Sequence, residues 1–288
     1  MSRKVFNVCN ILFMILLITV AAYPIYYVLI ASLSDSKELM RNSGLLLKPL
    51  KANLAAYKSV FENPNILRGY KNTIIILVLS VSINMVLTSL TAYALSRKNL
   101  MLGNALTMII VFTMFVSGGL IPTYLLVDSL GIMNTYWAVV LPGAMSTYNF
   151  IILRTGFAAV PDSLEEAAKI EGAGHWSILF KIVMPLSMST VAVMILYYAT
   201  GHWNSWFNAS IFIKTRTKYP LQLILREILI NNDTANMTIA GGGADDMMGI
   251  SESIKYAVIV VSTVPILCIY PFLQKYFVKG VMIGAVKE

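Results

Sequence analysis

Charged residues are spaced very unevenly along this chain. Asp, Glu, Lys and Arg are absent from 5–34, 72–96, 99–127, 129–153, 182–213 and 256–274. An apolar helix of about 20 residues crosses a hydrocarbon core about 30 Å thick, and each stretch reaches or approaches that length. The pattern predicts helices over about 9–32, 72–95, 105–127, 134–153, 184–212 and 255–275. The expected fold is therefore an all-α polytopic membrane protein with six transmembrane helices. Pro24, Pro122, Pro142, Pro185, Pro265 and Pro271 fall inside these helices or at their edges. Membrane helices accommodate proline because neighbouring helices and hydroxyl side chains satisfy the freed backbone groups.

Composition sharpens this picture. Of 288 residues 57% are hydrophobic and 12% charged, against about 25% charged in an ordinary soluble domain. All 36 charged side chains fall in the 128 residues outside the six stretches. A soluble enzyme, a nucleic-acid binder and a disordered chain are excluded. The net charge of +8 reflects Lys and Arg flanking the spans. Cys9 and Cys268 are too few for a disulfide framework and lack metal-ligand spacing. Arg3 and Lys4 precede an apolar run as in a secretory signal. That run is 30 residues long, well beyond a signal's apolar core of about 7–15, so it reads as a retained first helix.

Orientation follows from Lys and Arg close to the span ends. Arg97 and Lys98 lie between spans two and three, whereas the next link carries only Asp128. This places 97–98 in the cytoplasm and 128 outside. Arg3, Lys4, Lys275, Lys279 and Lys287 agree, so both termini are expected in the cytoplasm. Over the whole chain the outer segments hold 12 Lys or Arg and the inner ones 10; the outer excess lies in the long loops 35–71 and 214–255, where the rule has less force. The chain reads as one transmembrane domain, 1–288, with its core at about 70–275.

Ion-coupled carriers need ionisable groups within the membrane. His202 alone is present in the spans, and a histidine in a Trp-rich segment is more often a hydrogen-bonded packing residue than a relay. Gly241-Gly242-Gly243 is followed by Ala-Asp-Asp, not by the Gly-Lys-Ser/Thr of a phosphate loop. No nucleophile pairing, carboxylate pair or metal-ligand set has motif support. The expectation is a chain that is no enzyme and binds no metal, cofactor or nucleotide of its own. Energy for uphill transport must then come from a partner.

The one sizeable cytoplasmic loop is 154–181. Ser163 with Glu166, or Asp162 with Glu165, matches a capping box, which starts a short helix after Pro161. Gly172 and Gly174 stop that helix and turn the chain. A second amphipathic segment, 175–181, leads to Pro185. On residues alone this is either a docking helix–turn–helix or a solvated link between spans.

Here the sequence acquires a resemblance. Glu166-Ala167-Ala168, Gly172, Ile182 and Pro185 reproduce the spacing of the EAA loop of permease subunits in type I ABC importers, with Met184 where that family usually has Leu. Residues 117–124 (SGGLIPTY), 201–208 (GHWNSWFN), 219–228 (YPLQLILREI) and 270–286 (YPFLQKYFVKGVMIGAV) extend the match. They resemble the MalG-type second permease of carbohydrate importers, in the LplC/YtcP-like branch associated with oligosaccharides and complex glycans.

The resemblance implies the type I ABC importer transmembrane fold and a set of partners. These are a homologous second permease, two ATPase subunits that hold ATP and Mg, an extracellular or lipid-anchored solute-binding protein, and an oligosaccharide, all within membrane lipid and without nucleic acid. It implies that 162–181 is the coupling loop. Ser163, Glu166, Ala167, Ala168, Gly172 and Pro185 are its expected ATPase-coupling residues, and Glu166 is the position expected to meet a basic ATPase residue. The tail Lys279–Glu288 resembles a segment reaching towards the ATPase interface, and 231–253 is an outer loop open to binding-protein docking or to a role as a connector. Sugar recognition uses aromatic faces beside polar groups. Candidates for the substrate path are Asn84, Tyr124, Tyr148, Asn149, Tyr197, Tyr198, Trp203, Asn204 and Asn208. The same aromatics also suit a membrane-interface belt. Competing readings are a permease of this fold for a non-sugar solute and, less well matched by the charge-free spans, a stand-alone carrier or channel.

Overall fold

The computed structural model describes residues 3–42, 44–98, 100–230 and 252–268 of the chain. The tail at 279–288, most of the loop at 231–253 and the end of the last expected span lie outside these residues. No strand occurs among the described residues, which are dominated by helix. They form two compact units: one from residues up to 67 with 224–230 and 252–265, the other from 68–223 with 266–268.

The first unit is anchored by α1 (Arg3–Ser32), which contains Pro24 without ending there. Its apolar side chains are exposed along most of the helix, Phe6, Leu12, Phe13 and Ile18 among them. An all-round apolar helix so largely exposed suits a lipid environment. At its C-terminal end Ala31 packs with Leu39 and Leu46 against Tyr27 and Tyr256. α2 (Ser36–Arg41) begins with the Asp35 side chain accepting from the Lys37 and Glu38 amides at 3.0 and 3.3 Å. The Ser36 hydroxyl donates to that of Ser253 at 2.7 Å, joining this segment to the helical run at 252–268. α3 (Ala55–Glu62) follows.

α4 (Pro64–Ser96) is the second helix long and apolar enough to cross a membrane. The third, fourth and fifth expected spans are helical but not continuous. The range 105–127 divides into α5 (Gly103–Phe112) and α6 (Leu120–Ser129). Gly119 stands between them at φ 86, a conformation that side chains with a Cβ avoid. Pro122 therefore sits in the first turn of α6, where no amide donor is needed. The range 134–153 divides into α7 (Trp137–Val140), a 3₁₀ turn through Pro142, and α8 (Thr147–Ala158). The Ser146 hydroxyl caps α8 by accepting from the Asn149 amide at 3.4 Å.

The fifth range departs furthest from a simple rod. α9 (Asp162–Ile170) precedes α10 (His175–Ile178), a π turn at Leu179–Val183, and α11 (Met184–Leu186). The chain then bends by 88° into α12 (Met188–Trp203). Pro185 lacks the amide that would bond to the Lys181 carbonyl, and its ring crowds that carbonyl. The wide turn just before it is a usual way to absorb this conflict. The broken pair passes the length and apolarity test as one span. α13 (Phe207–Phe212) and α14 (Leu221–Ile230) complete the labelled helices.

The core of the second unit lies where five helices meet. Ala92, Tyr93 and Leu95 of α4 pack with Phe150, Leu153 and Phe157 of α8, Ala168 of α9, Ile178 of α10, and Val191 and Met194 of α12. α8 and α12 touch closely at Gly156. A Cβ there would fall 2.9 Å from the Thr190 side chain. Glycine is required at this crossing by space, not by backbone angle. A second cluster unites Ile76 of α4, Val139 and Val140 of α7, Ala209 and Ile213.

Candidate functional site

Two sites stand at different levels of the same helices. The first surrounds α9. The helix starts directly after Pro161, as the sequence implies, but neither capping box forms: Pro161 is the cap residue and no side chain caps the helix. The acidic side chains are engaged elsewhere. The Lys98 ammonium donates to Asp162 Oδ2 at 2.8 Å. Arg97 Nη1 donates to Glu165 Oε2 at 2.6 Å, and Lys169 Nζ lies 3.0 Å from Glu165 Oε1. Asp162 and Glu165 still place negative charge in the first turn of the helix, where its dipole favours it.

Arg97 is the hub. Its side chain is only 14% exposed and that of Glu165 only 7%. The second guanidinium nitrogen donates to the Phe157 carbonyl at 2.7 Å, near the end of α8, and the charge lies 5.2 Å from the Tyr93 ring centroid. Tyr93 in turn donates to Glu165 Oε1 at 3.4 Å and lies 3.5 Å from His175 Nδ1. Burial works against the Glu165 charge, yet the bond from Lys169 and the charges of Arg97 and Lys169 outweigh it and hold the carboxyl below the ordinary glutamate value. Asp162 is lowered by its bond to Lys98, and Lys98 is raised by the same contact.

The C-terminal end of α9 closes as the sequence predicts. Gly172 has φ 83. Its amide donates to the Lys169 carbonyl at 3.0 Å, and the Ala173 amide donates to the Ala168 carbonyl at 2.9 Å. This pair of bonds is a Schellman motif, which needs a left-handed residue where Gly172 stands. Ala168 faces inward, whereas Ser163, Glu166 and Ala167 are exposed. Ile170 at the tip is 88% exposed. Pro185 is exposed too, but it belongs to the bend that follows. A groove of about 860 Å³ runs beside α9, lined by Tyr93, Arg97, Glu166, Lys169, His175 and Trp176 among others.

The second site is a cavity of about 440 Å³ that collects six of the substrate-path candidates: Asn84, Tyr148, Asn149, Tyr197, Tyr198 and Asn208. Ser146, His202 and Ser205 also line it. With its oxygen facing His202, the Asn84 amide accepts from Nε2–H at 2.9 Å and donates to the Ser80 and Ala144 carbonyls at 2.8 and 3.2 Å. This makes His202 a hydrogen-bonded ring in the cavity wall. The Tyr198 hydroxyl accepts from the Ser146 amide at 3.1 Å and lies 2.7 Å from that of Thr88. Tyr148 and Tyr197 stack with centroids 6.2 Å apart and planes at 27°. Both are exposed, at 52% and 37%. Among the described residues, no Asp, Glu, Lys or Arg lines the cavity.

Three candidates lie elsewhere. Tyr124 stacks on Phe212 at 6.3 Å. Trp203 is buried against Tyr70. Asn204 donates to the Thr200 carbonyl at 3.0 Å and so finishes α12. Sequence reasoning also missed the clamp. Arg97 served only to orient the chain and Glu165 only as a capping alternative. Their juxtaposition depends on tertiary structure across 68 residues, and no local spacing announces it.

The family model described as binding-protein-dependent transport system inner membrane component matches residues 3–283. Protein LplC of Bacillus subtilis (strain 168) is 40% identical over 287 residues, covering 99% of this chain and 96% of that protein. The polygalacturonan/rhamnogalacturonan transport system permease protein YtcP of the same organism is 37% identical over 289 residues and covers all of both chains. Among solved structures, a bacterial ABC transporter involved in the import of the acidic polysaccharide alginate superposes with a TM-score of 0.87. It is 28% identical, over 96% of this chain and 99% of that one.

Proposed function

The chain belongs to the family of binding-protein-dependent transport system inner membrane components, and from that membership we propose that it forms half of the translocation path of an ATP-driven oligosaccharide importer. It is a permease of a bacterial cell membrane. In our reading it crosses the membrane six times with both termini in the cytoplasm. The broken helices pair as α5 with α6, α7 with α8, and α12 with its flanking pieces. It acts beside a homologous second permease, on two ATPase subunits that bind ATP and Mg, and receives sugar from an extracellular or lipid-anchored binding protein. It has no catalytic role of its own.

The observation that carries this reading is the build of α9. A short helix is fixed at its base by a buried ion pair and at its end by a Schellman turn, and it presents Ser163, Glu166, Ala167 and Ile170 outward. A solvated link between spans needs no such fixing. We assign α9 as the coupling helix, with Glu166 as its contact to a basic ATPase residue and Gly172 as its turn.

The cavity supplies the matching chemistry for a sugar. A volume of about 440 Å³ lies within the usual range for ligand pockets, about 300–1,000 Å³. Exposed Tyr148 and Tyr197 offer ring faces. Asn149, Asn208, Ser146 and Ser205 offer hydrogen-bonding groups of the kind hydroxyls need. The named substrates of YtcP and of the alginate importer make fragments of acidic polysaccharides the first compounds to test.

Glu166→Lys and Gly172→Pro test the coupling assignment in the assembled transporter. Both variants should reach the membrane, lose ATPase co-purification and lose uptake of oligogalacturonides. Retention of ATPase and uptake by both variants contradicts it. A panel of oligogalacturonides, alginate oligosaccharides and arabino-oligosaccharides then identifies the cargo.

A further inference from the structure

The clamp and the cavity are joined by the same helices, and the joins differ in kind. Arg97 lies just beyond the end of α4, and Asn84 lies 13 residues earlier on it, about 20 Å along the axis at 1.5 Å per residue. The same guanidinium holds the Phe157 carbonyl at 2.7 Å. Phe157 is near the end of α8, whose first turn supplies Tyr148 and Asn149 to the cavity. The Leu95 carbonyl accepts from Arg154 Nε at 2.7 Å, a second tie between α4 and α8. One wall of the cavity is thus held to Arg97, and Arg97 is held to α9 through Glu165.

The facing wall is Tyr197, Tyr198 and His202 on α12, and it meets the first through single neutral contacts: Asn84 with His202, Thr88 and the Ser146 amide with Tyr198, and the Tyr148–Tyr197 stack. Its route from α9 passes Gly172 at φ 83, the π turn at Leu179–Val183, Pro185 and the 88° bend at Ser187. Every step on that route is a break in regular helix. A displacement of α9 reaches α4 and α8 through a buried, charged connection and α12 through a jointed one, so the neutral contacts between the two walls are the ones that must exchange.

We propose that the Arg97–Glu165 pair is the transmission element of this subunit. It carries motion of α9 to α4 and α8 as one body, so that the Asn84–Tyr148–Asn149 wall moves against the Tyr197–Tyr198–His202 wall. Glu165 is a positioning residue, distinct from Glu166, which faces the ATPase. The proposal rests on the reading of α9 as the coupling helix. It adds which of the two adjacent glutamates docks and which transmits, and which wall moves. Tyr93 and Lys169 support the transmitting carboxylate from α4 and from α9 itself.

The test uses the whole transporter in lipid, with Cys9→Ser and Cys268→Ser removing the native thiols. Spin labels at Leu87→Cys on α4 and Ile195→Cys on α12, both exposed, report the distance between the two walls with and without ATP and Mg. With the clamp intact, ATP should shift this distance. Glu165→Gln should retain the ATPase subunits and their hydrolysis but lose the shift, and oligogalacturonide uptake per ATP should fall at least about fivefold, the scale of a coupling energy between sites. The Arg97→Met/Glu165→Met double variant removes the link without leaving a buried charge unpaired. It should behave alike, and this guards against a folding effect. A preserved shift in the double variant, or no shift with the clamp intact, overturns the proposal. Loss of the ATPase from Glu165→Gln makes Glu165 a docking residue and also overturns it. ATPase retained by Glu166→Lys overturns the docking reading instead, and the distance measurement still decides the clamp.

Discussion

The two ends of the α4–α8 layer solve opposite problems. At the α9 end Arg97 and Lys169 both pair with Glu165, and Lys98 pairs with Asp162. About 20 Å away along α4, the cavity has aromatic rings, amides and hydroxyls, and among the described residues no Asp, Glu, Lys or Arg in its lining. A buried ion pair is costly to form and costly to break, because removing one partner strands the other charge. It suits a contact that must hold through a cycle. Stacking and neutral hydrogen bonds are worth about 0.5–1.5 kcal/mol each, so they suit a surface that must release what it touches.

This contrast is easiest to break at the clamp. Glu165→Ala should lower unfolding stability by about 3–5 kcal/mol, read as a large fall in the thermal midpoint in detergent. A change as small as that of an exposed pair would remove the clamp from the account. Gly156→Leu comes next. Its side chain would collide with Thr190, at a cost of about 1–3 kcal/mol, and the same midpoint measures it. At the other end, Tyr148→Ala and Tyr197→Ala should each leave ATPase assembly intact and weaken oligosaccharide transport about threefold to tenfold, the worth of one aromatic contact. A fall in stability comparable to that of Glu165→Ala would make the pair a packing element instead of a sugar face.

The weakest effects belong to pH and to the surface pair. Asp162 and Glu165 have folded pKa values below their ordinary ones, from 3.8 and 4.5 respectively. The unfolded chain therefore takes up protons first as pH falls. Their stabilisation is present above the ordinary carboxylate range and is lost as pH drops through the folded values. Stability should thus be flat from neutral pH down to about 5 and decline below that, whereas a decline beginning near pH 6.5 would point to histidine. Lys98→Ala removes a contact whose partners are 83% and 56% exposed and should not move the midpoint measurably.

Much of this was legible in the sequence, for physical reasons. Charge exclusion marks lipid-facing segments, and α1 and α4 run through the first two predicted ranges. The glycine at 172 is required by the turn it makes, and the pattern around it survives as a Schellman motif. The breaks inside the other spans were harder to see. Gly119, Pro142 and Pro185 are visible as letters, but tolerance of proline in membrane helices hides whether each one kinks, starts or ends a helix. Six of nine path candidates converge because aromatic faces beside polar groups in the spans are what a sugar-binding wall needs. Tyr124, Trp203 and Asn204 share that composition yet spend it on packing and capping. Glu165 and Arg97 were beyond reach: adjacent glutamates on one helix are equivalent until the fold turns one inward and leaves the other exposed.

The most direct test of the central claim is a photo-crosslinker placed at Ile170, the tip of α9, in the assembled transporter. A covalent adduct with the ATPase subunit should form in the native complex and be lost when Glu166 is replaced by Lys. Crosslinking of Ile170 to lipid alone, with the ATPase still bound to the complex, would contradict it.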